Sequence, residues 1–453
     1  MWENTAQDRH YAGDFVVETD AFSGEIVYNK ENGIIILSLT KELQGVGKSY
    51  GRQKFISGKL NSGAYVTLCN CQCIKNLTHN FSVQQLRFRA DCMIWGKAES
   101  ANRKFNKFVC VLENGLQWSG LTQIYREDFT KIAFKKLSKE NSYNWFGANV
   151  NFSTKLDMDV WHSPRPETCR IEEHLQIEIV SEEKQDVDYF LQIRNKVMSM
   201  ISFAIKDNVN IDSQSFYDFD DSYMLTEEIK QYNEYMLFTN EQYHILRKTN
   251  LHNYNFKLCQ LPQDSCIADS FVKLEPVFNL YLSLFKYNDM PAEMVFLNIV
   301  QAIETFHSRF FYDNKKKKYI ESVYNRFGSL VHFDQIKQLL LNDTQMDENC
   351  NYILLVSRLN DLFIGKFDGL FFDFYGTDNQ YAQRIADTRH YYTHYGKSKE
   401  SKALKGNDLL DAIEILTLLL EYNVCLALGI DNRNKTANRL GSYSMYKQME
   451  NTN

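Results

Sequence analysis

The chain has 453 residues, enough for two or three domains that each bury a core. Hydrophobic residues make up 44% and charged residues 24%, which excludes a disordered or fibrous chain. A net charge of −6 excludes a protein that coats nucleic acid over its whole surface, so any such contact must rest on a local basic patch.

The opening MWENTAQDRHYAGDF has neither a basic start nor an apolar run, so no secretory signal is expected. The longest apolar stretch, LLDAIEILTLLLEYNVCLALGI, is interrupted by Asp411, Glu414 and Glu421, which a bilayer-spanning helix does not readily tolerate. A cytoplasmic protein without membrane association is the expectation. Ten Cys with no regular spacing fit reduced thiols, and Asn-x-Ser/Thr sites such as those at Asn76, Asn80 and Asn151 then carry no meaning.

Composition shifts along the chain. All five Trp lie within the first 161 residues, and twelve of the twenty Gly precede residue 148. In this first part the period is two. GEIVYNKENGIIILSLT reads as strand, turn and strand, with Asn32-Gly33 supplying the positive φ of a tight hairpin. KFISGKLNSGAYVTLCNCQCIK repeats the pattern around Asn61-Ser62-Gly63, and QQLRFRADCMIWGK and KFVCVLENGLQWSG continue it. QGVGKSYG resembles a phosphate loop at first sight, but Glu42 stands where its first Gly belongs and a β pattern follows, so a hairpin loop is the better reading. Cys69, Cys71 and Cys73 fall on one face of a strand. Same-face neighbours there are ~6.6 Å apart, too far to chelate one zinc ion without rearrangement, so core residues are expected. Near Val187 to Ile205 the spacing turns helical.

From Asp264 onward the period is 3.6, with Pro262 and Pro276 punctuating the entry. AEMVFLNIVQAIETFHSRFF carries a buried stripe of Phe296, Val300, Ile303 and Phe310, with Glu304 and His307 beside it. Further helices are expected over Phe333–Leu341, Asn351–Phe363, Asn379–Tyr395 and Asp408–Leu428, the last with Asn407 as N-cap and Gly429 as its terminating residue. The reading is an α+β multidomain chain: an N-terminal antiparallel β-sandwich or barrel-like domain over 1–250, a C-terminal all-α bundle of about six helices over 263–431, and a flexible polar tail over 432–453.

TRHYYTHYGKSK concentrates the chemistry. Thr377 and Gln380 form a capping-box pattern before its helix and Gly396 is placed to end it, which puts Arg389, His390, Tyr391, Tyr392, His394 and Tyr395 on the last turns. The helix dipole favours a cation at His394, and a His near neutral pH is suited to acid/base work. Arg389 and His394 are five apart and point about 140° away from each other on a straight helix. Two copies facing across a two-fold axis would bring such residues into one groove. Arg would grip a phosphate in its fork while His moved protons. His390 and His394 at i, i+4 could instead offer two imidazoles to zinc, but no Glu follows His390 and no third ligand is evident. The blandest alternative is an exposed polar helix end. Lys315, Lys316, Lys317 and Lys318 in NKKKKY lie in the same domain and read as solvated surface or as grips on an RNA backbone.

RIADTRHYYTHYGK resembles the signature helix of HEPN domains, in which Arg, a polar residue and about three others precede His: here Arg389, His390, Tyr391-Tyr392-Thr393 and His394. FLNIVQAIETFHSRFF is similar to the corresponding upstream helix of the ApeA-type branch through Ala302, Glu304, Phe306 and His307. GEIVYNKENGIIILSL, SGAYVTL and LQWSG resemble the ApeA N-terminal domain. The position after Arg, often Asn in this branch, is His390. The resemblance spans about Asp14 to Gly429 and implies a C-terminal HEPN helical bundle acting as a homodimer or higher oligomer. It also implies a metal-independent ribonuclease without cofactor and a role in anti-phage defence by abortive infection. RNA, with tRNA as a candidate, would be the substrate and a phage-derived molecule the trigger. Arg389 and His394 would be catalytic and His390, Tyr395 and Glu304 supporting. Lys397, Lys399, Lys402 and Lys405 would bind RNA along with the four lysines upstream. The alternative is a non-catalytic HEPN module that binds a nucleotide or a protein partner.

Overall fold

The computed structural model describes residues 8–29, 31–43, 47–79, 82–96, 103–126, 132–134, 141–159, 170–224, 230–240, 254–262, 266–287, 289–311, 355–364, 371 and 379–450. The helix expected over Phe333–Leu341, the Lys315–Lys318 run and the Thr377 cap lie outside them. The chain divides into two compact units, one of residues 1–198 and 209–248, the other of 199–208 and 249–453. The expected cut near residue 250 therefore misses a short segment, 199–208, that goes with the second unit.

In the first unit alternation builds six strands: β1 (Arg9–Val17), β2 (Asp20–Asn29), β3 (Ile34–Glu42), β4 (Gln53–Leu60), β5 (Tyr65–His79) and β6 (Val83–Ala90). They pair in the order β5-β4-β1-β2-β3-β6, and β6 pairs back onto β5, closing a six-stranded antiparallel barrel. Its inside is filled by Phe15, Ile35, Leu37, Leu68 and Phe88, all fully buried, each contributing on the order of 1.5–3 kcal/mol. Closure crowds the backbone at Gly13 and Gly24, which face each other across β1 and β2. A Cβ on either would strike a neighbouring strand, at the Lys59 or the Ser38 carbonyl oxygen. Cys69 and Cys71 are buried as the alternation predicts, whereas Cys73 is half-buried.

The next strands are β7 (Cys92–Trp95), β8 (Phe105–Leu112), β11 (Asn141–Trp145), β12 (Ala148–Asp159), β13 (Arg170–Gln185), β14 (Ile211–Met224) and β15 (Lys230–Thr239). They run β11-β12-β13-β8-β14-β15-β7 and join the barrel where β7 pairs with β5. A short helix α1 (Leu116–Ser119) and a two-stranded ribbon of β9 (Ile124–Arg126) and β10 (Ile132–Phe134) complete the set. Helix α2 (Val187–Ile205) forms as its spacing predicts and lays Phe190 on Phe108 and Phe216 of this sheet. The hairpin at Asn32-Gly33 is looser than expected. Asn29 pairs with Ile34, so four residues form the connection, and only Gly33 of the pair takes a positive φ, 64°. Lys48 of QGVGKSYG is held by Glu18 and is followed by β4, not by a helix.

In the second unit the 3.6 period gives α3 (Cys266–Lys286), α4 (Ala292–Phe310), α5 (Leu355–Ile364), α6 (Asn379–His394), a short α7 (Lys397–Glu400), α8 (Asn407–Ala427) and α9 (Arg433–Glu450). Pro276 lies inside α3 and does not break it. The carbonyl it leaves unbonded belongs to Val272, whose residue is 58% exposed, so water can take the bond. Helix α4 packs against α3, α5, α6 and α8. Its buried stripe includes Phe296, Val300 and Ile303 as expected, while Phe306 replaces Phe310 and stacks on it at 4.6 Å. The N-cap of α8 is Gly406, with Asn407 its first residue. Its end is as expected: Gly429, φ 76°, donates to Leu426 O, and Ile430 donates to Cys425 O, the paired bonds of a Schellman termination.

The tail expected to be flexible over 432–453 is instead helical from Arg433 to Glu450. Few apolar residues mark it, but Thr436 and Leu440 are buried one turn apart and Arg439 donates to Glu421 Oε2 at 2.7 Å. Tertiary anchoring supplies what the sequence pattern lacks. No helix of the described residues is long and apolar enough to cross a membrane.

Candidate active site

Helix α6 is built around a buried stripe of Ala382, Ile385, Thr388 and Tyr392, which leaves Gln383, Arg384, His390, Thr393 and His394 exposed. Thr388 is fully buried, donates to Arg384 O at 2.6 Å and accepts the Leu404 amide at 2.9 Å. Tyr392 donates its hydroxyl to Leu404 O at 3.0 Å, and burial pushes its phenol up from the usual value. These bonds fold the segment after the helix back onto it. Lys399 adds a third tie, donating to Asp387 Oδ1 at 2.6 Å.

The helix ends one residue earlier than its pattern suggests. Tyr395 takes the left-handed conformation, φ 49°, and donates its amide to Tyr391 O. Gly396 is extended and starts α7, so it does not end α6 as expected. A bulky residue at positive φ is uncommon and costs roughly 1–3 kcal/mol. Tyr395 is 66% exposed, with its ring against Tyr391 and Tyr392 at 5.5 and 6.3 Å.

Arg389 and Glu304 are brought together. Arg389 Nη2 lies 3.7 Å from Glu304 Oε2, with side-chain exposures of 37% and 19%. His390 and His394 are likewise adjacent, ring centroids 4.9 Å apart. No hydrogen bond or ring contact joins Arg389 to His394, as their five-residue spacing predicts. Lys397 and Lys402 are exposed, whereas Lys399 is committed to Asp387 and Lys405 lies over the Tyr391 ring and 3.6 Å from Glu400.

A support layer beneath α4 was not legible in the motif. His307, expected beside the stripe, is fully buried with Nε2 2.8 Å from Asp361 Oδ2 on α5. Arg358, also on α5, donates to Glu304 O at 3.0 Å and to Ser308 Oγ. Together they fasten the turn of α4 that carries Glu304. The signal available in the sequence was the polar set Arg358, Asn360 and Asp361 on a helix whose remaining residues are mostly apolar. Among the described residues, no cluster of three or more His, Cys, Asp or Glu side chains is placed to hold a metal ion.

Residues 10–267, more than half of the chain, match the ApeA N-terminal domain 1, and residues 297–434 match the Apea-like HEPN domain. The chain belongs to the ApeA-like HEPN family. Its HEPN match begins within α4 and ends within α9, so it contains Glu304, His307, Arg389 and His394. HEPN domains are generally ribonucleases, and the ApeA type points to anti-phage defence. Comparison with curated proteins and with solved structures finds no match.

Proposed function

We propose that this ApeA-type HEPN protein is an abortive-infection endoribonuclease that cleaves RNA, with tRNA as the leading candidate, without a metal ion. The observation that carries the reading is a half-buried Arg389 and an exposed His394 on the last turns of one helix, with Glu304 set against Arg389. In a pair of HEPN domains related by a two-fold axis, both copies of each residue line one groove. Arg389 forks the scissile phosphate and offsets the charge that builds in the transition state. A His394 takes the proton of the ribose 2′-hydroxyl as its oxygen attacks phosphorus. The bond to the 5′-oxygen breaks and that oxygen is protonated by the second His394. The products are a 2′,3′-cyclic phosphate and a 5′-hydroxyl. His390 and Tyr395 orient His394 and the RNA. Lys397 and Lys402 are exposed and have no ion-pair partner among the described residues, which leaves them for the RNA backbone, while Lys399 and Lys405 act through the local structure they hold. The β unit senses the phage-derived trigger.

A specific observation favours a second reading. Arg389 already has Glu304 as its counter-charge, as it would in a non-catalytic HEPN module that binds a nucleotide or a protein partner. A phage-plaque assay separates the two: His394→Ala abolishes protection if the domain cuts RNA, and leaves it intact if the domain only binds.

A further inference from the structure

On the outer wall of the barrel, β5 and β6 carry a basic patch that the sequence motifs did not single out. Arg87 and Arg89 alternate with the buried Leu86, Phe88 and Ala90 and are exposed. Lys75, also exposed, stands directly opposite Arg87 in the register, and Gln72 stands opposite Arg89. Among the described residues none of the three cations has a carboxylate, hydrogen-bond or ring partner for its charged group, although many other lysines and arginines do. Of the described carboxylates near the patch, Glu25, opposite Ser38 on β3, bonds His10, and Asp91, just past the end of β6, accepts from Asn240; neither is ion-paired with the three cations.

Like charges directly opposite on a sheet are unfavourable, and here a deviation from regular pairing produces them. Cys71 and Cys73 point inward, so strict alternation would carry Lys75 inward too. The register shifts between Cys73 and Lys75, and Ile74 is the extra residue, 49% exposed. The bulge turns Lys75 outward to face Arg87, the kind of re-aiming that bulges perform next to binding sites. Arg87 and Arg89 are spaced by two strand residues, about 6.8 Å, a repeat that suits successive phosphates of an extended strand. On a chain of net charge −6, this is a local concentration of positive charge that no ion pair among the described residues neutralises.

We infer that the β5–β6 face of the barrel, through Lys75, Arg87 and Arg89, binds the phosphodiester backbone of a nucleic acid. Arginine is the fitting residue because its fork meets phosphate oxygens two at a time, and recognition of this kind is by charge, not by base sequence. RNA and DNA share the chemistry, so the test has an arm for each.

The test measures binding of the full chain, by fluorescence anisotropy over a salt series, to a labelled 2′-O-methyl RNA and to DNA of the same sequence. Both lack the attacking 2′-hydroxyl and so stay intact whether or not the HEPN site cuts. The expected result is that Arg87→Gln/Arg89→Gln weakens binding about tenfold and lowers the slope of log affinity against log salt by about 1.4. The matched pair Lys54→Gln/Lys59→Gln, which removes the same charge from β4, leaves both unchanged. An effect on one oligonucleotide alone assigns the patch to that nucleic acid. Equal losses in the two double variants, or no loss in the first, would overturn the inference. So would a patch that binds a poly-glutamate peptide through these arginines and neither oligonucleotide.

Discussion

Arg389 is held loosely enough to be recruited. A partly exposed ion pair at 3.7 Å is worth under about 1 kcal/mol, less than a bidentate contact with phosphate in a groove that excludes water. In the proposed ribonuclease, Glu304 would therefore keep the guanidinium aimed without competing with the RNA. Arg389→Ala is expected to lower RNA cleavage on the order of 10²–10³-fold with little change in melting temperature. Arg389→Lys keeps the charge but loses the fork and remains impaired, and initial rates on one RNA read both. Equal activity in the lysine variant would reduce Arg389 to a simple counter-charge. At this scale the motif was legible because Arg, His and Glu occupy positions set by helical spacing. The bond of Lys399 to Asp387 was not legible, because it joins residues on either side of a chain reversal, which no periodicity reports.

Helix α6 and the segment behind it behave as one piece because of two buried side chains. Thr388 satisfies the Leu404 amide, and Tyr392 satisfies the Leu404 carbonyl. Thr388→Val keeps the shape and removes the acceptor, leaving a buried N–H unbonded at a cost of about 1–3 kcal/mol. Urea unfolding measures the loss, and the Leu404 amide is expected to exchange its hydrogen faster than in the parent chain. An unchanged exchange rate would show that Thr388 does not anchor this segment. Apolar helices such as α4 and α8 were readable from their stripes, and α2 from its change of period. Helix α9 was not, because its burial rests on Thr436, Leu440 and the Arg439–Glu421 bond. Barrel closure was equally hidden: it depends on β6 pairing with both β3 and β5, a relation between segments far apart in sequence.

The helical unit is tied together by a buried charge. Glu421 accepts from Lys206 and Tyr281 at 2.6 Å and from Arg439 at 2.7 Å. Burial alone would raise its carboxyl, but Lys206 and Arg439 outweigh it and hold the group below the usual range. Glu421→Gln leaves the two cations uncompensated and is expected to cost about 3–5 kcal/mol. The same cations act on Lys435, which burial first and then Lys206 and Arg439 push down to about 8 from 10.5. Between those values the unfolded chain binds the extra proton, so this group's contribution makes stability rise with pH across the window. Lys435→Met is therefore expected to raise the melting temperature at pH 7, with the gain fading as pH climbs through 8 toward 10.5. A gain independent of pH would point to packing instead. Among these predictions, metal-free cleavage by the HEPN domain is the one on which the functional reading stands. Purified full-length protein incubated with total tRNA in EDTA is expected to release fragments bearing 2′,3′-cyclic phosphate, and His394→Ala to release none. Intact tRNA with the parent chain, or equal cleavage by the variant, would contradict it.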